Sequence, residues 1–184
     1  MKRIILILAI SIFVIVNTAA DSQNLQKPVD FGVSFSPRYA QELGLDPRLT
    51  YQSILTDLSI KSVRLSALWD EIESEQDKFD FAELDWYINE ATKHQAKVIL
   101  AIGYKLPRWP ECRAPEWFSR DRQLVMLKAV INHYEKNPTI SVFQVENEPL
   151  LNYGLCPLPD REFLQKEVEF IRTRTQKPII ITDS

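Results

Sequence analysis

Glycine is scarce in this sequence, with four in 184 residues. The stretch that carries the first strand-like segment to its end, Gly32-Val33-Ser34-Phe35-Ser36-Pro37, contains no Gly-rich phosphate cradle, which disfavours dinucleotide binding. Histidine and cysteine are equally sparse, two of each. Cys112, Cys156, His94 and His133 follow no four-ligand zinc spacing, and both histidines lie in helix-like stretches. No metal site and no cofactor is therefore expected. Positive charge is not in excess either. The net charge is −3 and no basic patch stands out, so nucleic acid is not an expected partner. What remains, 45% hydrophobic and 26% charged residues, is the balance of an ordinary globular domain with a core.

One stretch departs from that balance. Lys2 and Arg3 precede an uncharged run from Ile4 to Val16, broken only by Ser11, and Thr18-Ala19-Ala20 offers small residues for cleavage. This is the layout of a secretory signal peptide over 1–20. The run is shorter than the ~20 residues that span a bilayer. A secreted protein, periplasmic or extracellular, is expected; left uncleaved, the same segment would tether the chain to a membrane. Cleavage would leave a net charge of about −5. Residues 21–28 read as a short linker and 29–184 as one domain.

From Val29 onward, strand-like and helix-like segments alternate. Val29–Ser36, Lys61–Leu68, Lys97–Ile102, Ile140–Val145 and Pro178–Thr182 read as strands. Between them, Asp46-Pro47 reads as a helix start, with Tyr51, Ile54, Leu55 and Leu58 on one face. Asp80 to Glu83 resembles a capping box ahead of Leu84, Ile88 and Ala91. Ser119 caps a helix carrying Leu124, Leu127, Ile131 and Tyr134. Asp160 opens one carrying Leu164, Val168 and Ile171. Strict alternation implies a parallel sheet with helices outside, and continuous apolar strands fit cover on both faces. Of the two architectures that satisfy this, an open doubly wound sheet and a closed barrel, the aromatic-rich loops that follow the strands favour the barrel. The fold class expected is α/β, a (β/α)8 TIM barrel truncated to about its first four and a half units.

The fourth strand runs from Ile140 into Gln144-Val145-Glu146-Asn147-Glu148-Pro149. By itself Asn-Glu-Pro also fits a plain turn. At the C-terminal end of a barrel strand, where active sites are built, it fits chemistry. Here the chain resembles the clan of retaining glycoside hydrolases with barrel folds, which includes glycoside hydrolase family 5 and several β-galactosidase families. Gln144 to Glu148 is similar to the β-galactosidase versions, and Pro149 to family 5. The likeness extends from Phe31-Gly32-Val33 through the fifth strand. Phe79-Asp80-Phe81 and Leu84-Asp85 resemble the loop that begins the second helix in these enzymes.

The resemblance implies that Glu148 is the general acid/base and that Asn147 bonds the substrate 2-hydroxyl. It also implies that Arg64, in Val63-Arg64-Leu65, holds the nucleophilic carboxylate; an arginine salt-bridged at a strand edge is the alternative. Trp69 could stack on a sugar or belong to the core. Trp109, in the stiff Pro107-Arg108-Trp109-Pro110, is a candidate subsite face because aromatic rings suit the apolar faces of sugars, whereas Trp117 reads as packing. Retention needs two carboxyl groups about 5–5.5 Å apart. The clan takes its nucleophile from a seventh strand that this chain lacks, and Glu111 and Glu146 come too early to replace it. The expected function is hydrolysis of O-glycosidic bonds in poly- or oligosaccharides by double displacement, with a fragment that is inactive alone. A non-catalytic or degenerate carbohydrate-binding barrel is the alternative. Cys112 and Cys156 fall on loops after neighbouring barrel strands and are expected to form a disulfide.

Overall fold

The computed structural model describes residues 31–107, 112–152, 156–158 and 160–183. The leader expected over 1–20, the linker over 21–28 and Trp109 lie outside the described residues. The elements are β1 (Gly32–Ser34), α1 (Pro37–Glu42), α2 (Pro47–Thr56), β2 (Ser62–Ser66), α3 (Trp69–Ile72), α4 (Ala82–Lys93), β3 (Lys97–Ile102), α5 (Arg120–Tyr134), β4 (Ile140–Val145), α6 (Arg161–Arg172) and β5 (Ile179–Ile180). Among the described residues no helix is long and apolar enough to cross a membrane.

The caps explain where most helices begin. Asp46 accepts from the Arg48 and Leu49 amides, with Pro47 in the first turn. Ser119 accepts from Arg122 N, and Asp160 from Phe163 N. Each replaces a bond that the first helical turn cannot make internally. Two expectations shift. The cap of α4 is Phe81, which makes no side-chain cap bond, while Asp80 accepts from Ala82 N just outside the helix. Leu58 falls beyond the end of α2 and is exposed. The short helices α1 and α3 add to the expected set; Ser36 caps α1 by accepting from Tyr39 N, with Pro37 in its first turn.

The five strands are parallel and lie in chain order, β1-β2-β3-β4-β5. A doubly wound sheet reverses its strand order part-way. No reversal occurs across these five, so each unit adds its strand on the same side as the last.

Register divides the sheet into two faces. On one, Val33, Val63, Val98 and Ile140 form a row, and Leu65, Leu100, Phe143 and Ile179 form the next. These pack into a core with Tyr51, Leu55, Ile88, Ala91, Leu127, Ile131 and Ile171 from α2, α4, α5 and α6. On the other, Ser34, Arg64, Ile99 and Val142 form a row, followed by Ser66, Ala101, Gln144 and Ile180. The expectation of strands apolar on both faces fails at β2. There Ser62, Arg64 and Ser66 alternate with the buried Val63 and Leu65, so one face is a helix-covered core and the other carries polar groups.

A bulge sets the phase of β4. Val98 pairs with Ile140 but Ile99 with Val142, leaving Ser141 as the extra residue. Its hydroxyl donates to the Val98 carbonyl at 3.0 Å. The insertion shifts alternation by one. Phe143 and Val145 therefore go under the helices, and Gln144 falls in the polar row that leads to Glu146-Asn147-Glu148.

Candidate active site

Continued alternation would send Glu146, two residues after Gln144, to the polar face. The backbone prevents this. Glu146 and Glu148 both adopt left-handed φ, 59° and 47°, a conformation that costs a non-glycine residue on the order of 1 kcal/mol or more. The Glu146 carboxylate instead turns toward the helices, where it accepts from the Tyr104 amide at 2.8 Å, from the Lys105 amide, and from Gln123 Nε2 at 2.8 Å. Asn147 is left facing the polar side.

There it meets Arg64. The guanidinium donates through Nε to Ser34 Oγ at 2.8 Å. Through Nη1 it reaches Gln144 Oε1 at 3.3 Å and Asn147 Oδ1 at 3.5 Å. Thr182, just past β5, donates to Asn147 Oδ1 at 3.4 Å and accepts from the Glu148 amide at 3.3 Å. Asn147 Nδ2 lies 3.5 Å from Glu148 Oε2. Burial pulls the Arg64 guanidinium below its ordinary pKa, and the Glu148 carboxylate opposes that shift. Side chains from β1, β2, β4 and the exit of β5 thus converge around Asn147, with Glu148 half-buried beside it.

Solved structures that resemble this fold include glycoside hydrolases. One is a GH5_18 protein from Streptomyces cattleya, solved in complex with GlcNAc, at 14% identity and TM-score 0.60; the match covers 84% of this chain and 44% of that one. Another is the exo-β-1,4-mannosidase Op5Man5 from Opitutaceae bacterium strain TAV5, at 14% identity and TM-score 0.61, covering 79% and 30%. A third is the endoglucanase Cel5A of Pseudomonas stutzeri, at 19% identity and TM-score 0.51, covering 71% and 41%. The chain spans less than half the length of each. No family model matches the sequence, and no curated protein matches it significantly. At these identities the likeness is one of fold.

Trp69 is corrected from candidate sugar platform to core residue. It is fully buried, packs edge-on against Phe118 with ring centroids 5.5 Å apart, and donates through Nε1 to Glu73 Oε2 at 2.7 Å. Stacking on a sugar needs an open ring face, which this indole lacks. The Trp117 indole N–H is also buried. Cys112 and Cys156 form a disulfide that joins the loop after β3 to the loop after β4, close to the site.

Two further buried polar residues stand around the β4 exit, outside the Asn147–Glu148 motif. Glu167 of α6 is buried and accepts from Gln123 Nε2. Its signal was legible, because Glu167 shares the apolar stripe of Leu164, Val168 and Ile171 at helical spacing. Lys105 is buried too. It donates through Nζ to the Glu148 carbonyl at 2.9 Å and the Leu151 carbonyl at 2.7 Å, and its own carbonyl accepts from Asn147 N at 2.7 Å. Neither spacing nor periodicity marks Lys105; only the contact between two loops distant in sequence does.

Proposed function

We propose that this chain carries the acid/base half of a retaining glycosidase site, with Glu148 as general acid/base acting on O-glycosidic bonds of oligo- or polysaccharides. The observation that carries the reading is the junction of Arg64, Asn147 and Glu148 at the C-terminal ends of parallel strands, where α/β folds build their sites. Asn147, held by Arg64 and Thr182, is placed to bond a sugar hydroxyl. Glu148 beside it donates a proton to the departing oxygen, then takes one from water.

Double displacement needs a second carboxylate about 5–5.5 Å away. In this reading it arrives on a strand beyond the five of this sheet, in a closed barrel of which the chain is a part. Arg64 then faces that carboxylate across the polar side of the sheet. The reading carries no cofactor, and the leader over 1–20 would deliver the protein outside the cytoplasm.

The test compares the 184-residue chain with the longest translated product that contains it, on aryl glycosides and polysaccharides. The chain alone is expected to show no turnover and the longer product to hydrolyse a glycoside. A longer product that binds sugars without cleaving them would favour a degenerate binding barrel instead.

A further inference from the structure

The β4 exit holds a second pair of carboxyls that the proposed chemistry does not use. Glu146 and Glu167 are both buried and lie within hydrogen-bond reach of one another; Gln123 Nε2 donates to both. They sit on the helix side of the sheet, between α5 and α6, with their backs to Asn147. We propose that Glu146 and Glu167 share one buried proton, and that Glu146, kept anionic by Glu167, is the positioning residue that sets Asn147 and Glu148.

The distribution of donors says which carboxyl holds the proton. Glu146 accepts from the Tyr104 amide, the Lys105 amide and Gln123. Three donors on one carboxylate favour its charged form. Among the described residues Glu167 receives only the Gln123 amide, and it is the carboxyl left to protonate, its O–H donating to Glu146. Burial first, then the adjacent Glu146 charge, push Glu167 up from its ordinary 4.5 to about 10. Burial also raises Glu146, and the Tyr104 and Lys105 amides pull it back. Among the described residues, the other charged or titratable groups around the pair are the Tyr104 hydroxyl, the Lys105 ammonium, Arg120 of α5 and Asp160 at the start of α6. Arg120 favours the anionic form of both carboxyls.

From Glu146 the positioning runs through Lys105. The carboxylate pins the Lys105 amide; the Lys105 carbonyl accepts from Asn147 N, and Lys105 Nζ holds the Glu148 carbonyl. The peptide before Asn147 and the peptide after Glu148 are thereby held from the loop after β3, without a contact to sugar. This matters because Glu146 and Glu148 both sit in left-handed backbone, which persists only where surrounding bonds over-determine it.

The positioning role rests on the glycosidase reading, whereas the shared proton does not, so the test uses the 184-residue chain without substrate. Carboxyl carbon-13 NMR should show one glutamate still protonated well above neutral pH, and Glu167→Gln should abolish that signal. In the sign of linkage, the stability contributed by the protonated Glu167 is complete below its unfolded value near 4.5 and is lost as pH rises toward about 10. Glu167→Gln, whose amide can replace the donated O–H, should match the parent's melting temperature below about pH 4.5 and lose the fall that the parent shows from there toward about 10, so that it melts higher than the parent at neutral pH. Glu146→Gln should speed hydrogen exchange at Tyr104, Lys105 and Asn147 about tenfold or more, while Val63 and Leu100 stay protected. If Glu146→Gln fails to fold, the wild-type titration and Glu167→Gln decide the shared proton, and exchange at Asn147 in Glu146→Asp, whose shorter carboxylate draws back from the Tyr104 and Lys105 amides, decides the positioning role. Ordinary titration of every glutamate would overturn the shared proton. Unchanged exchange at Asn147 in Glu146→Gln would overturn the positioning role. Either failure would leave the assignment of Glu148 to be judged by turnover alone.

Discussion

Gly103 has no room for a side chain because the Glu146 carboxylate occupies it. A β-carbon on Gly103 would lie 2.5 Å from Glu146 Oε1 and 2.6 Å from its Cδ, and the glycine has φ of +127°. Only glycine adopts that backbone without strain, and it is the residue that lets the carboxylate lie against the end of β3. Gly103→Ala would add backbone strain of about 1–3 kcal/mol and displace Glu146 from the Tyr104 and Lys105 amides. A loss of several kcal/mol in urea unfolding is the expected outcome. A variant as stable as the parent would mean that the carboxylate does not need this space.

Trp69 separates core packing from sugar stacking. Trp69→Ala should cost about 3–5 kcal/mol by opening a cavity and by leaving the buried Glu73 without its indole donor. Trp69→Phe should cost less and leave sugar affinity unchanged. A Phe variant of normal stability but weakened sugar binding would restore Trp69 to the binding surface.

The disulfide closes a loop of 44 residues in sequence separation. In the chain-entropy model that constraint contributes about 4 kcal/mol. Reduction, or the double change Cys112→Ser and Cys156→Ser, should lower the melting temperature and loosen the loops after β3 and β4 before the sheet itself. Equal melting temperatures with and without reductant would show that the bond does not support the fold.

Much of the frame was legible in the sequence. The caps at Asp46, Ser119 and Asp160 and the five strands follow from local chemistry: a side-chain oxygen ahead of an apolar stripe, or a short apolar run between breakers. The Asn147–Glu148 motif was legible through its place at a strand end. Other features were not. The bulge at Ser141 decides which face Gln144 takes, and it depends on the partner strand. The outward turn of Glu146 depends on two left-handed residues and on Gly103, none of which shows in a period-2 pattern. Trp69 was undecided for the same reason: whether an indole is covered is settled by Phe118 and Glu73, which tertiary packing alone brings to it.

Arg64 offers a test of geometry as distinct from charge. It bonds Ser34 with Nε while Nη1 reaches Gln144 and Asn147. Lysine keeps the charge but cannot make that fork. In an active product, Arg64→Lys should lower kcat/KM roughly 10–100-fold, a loss of about 1.4–2.7 kcal/mol in transition-state stabilisation, with the fold intact. Full activity in the lysine variant would reduce Arg64 to a simple source of charge.

The acid role of Glu148 is tested most directly by the dependence on leaving group. In the active product, Glu148→Gln is compared with the parent on two glycosides of the same sugar, one with a poor alkoxide leaving group and one with an acidic phenol. A poor leaving group needs the proton, so kcat/KM should fall roughly 10²–10⁴-fold. A phenol that departs unaided should lose far less in that first step. Equal losses on both substrates, or no loss on either, would contradict the assignment of Glu148 as the acid.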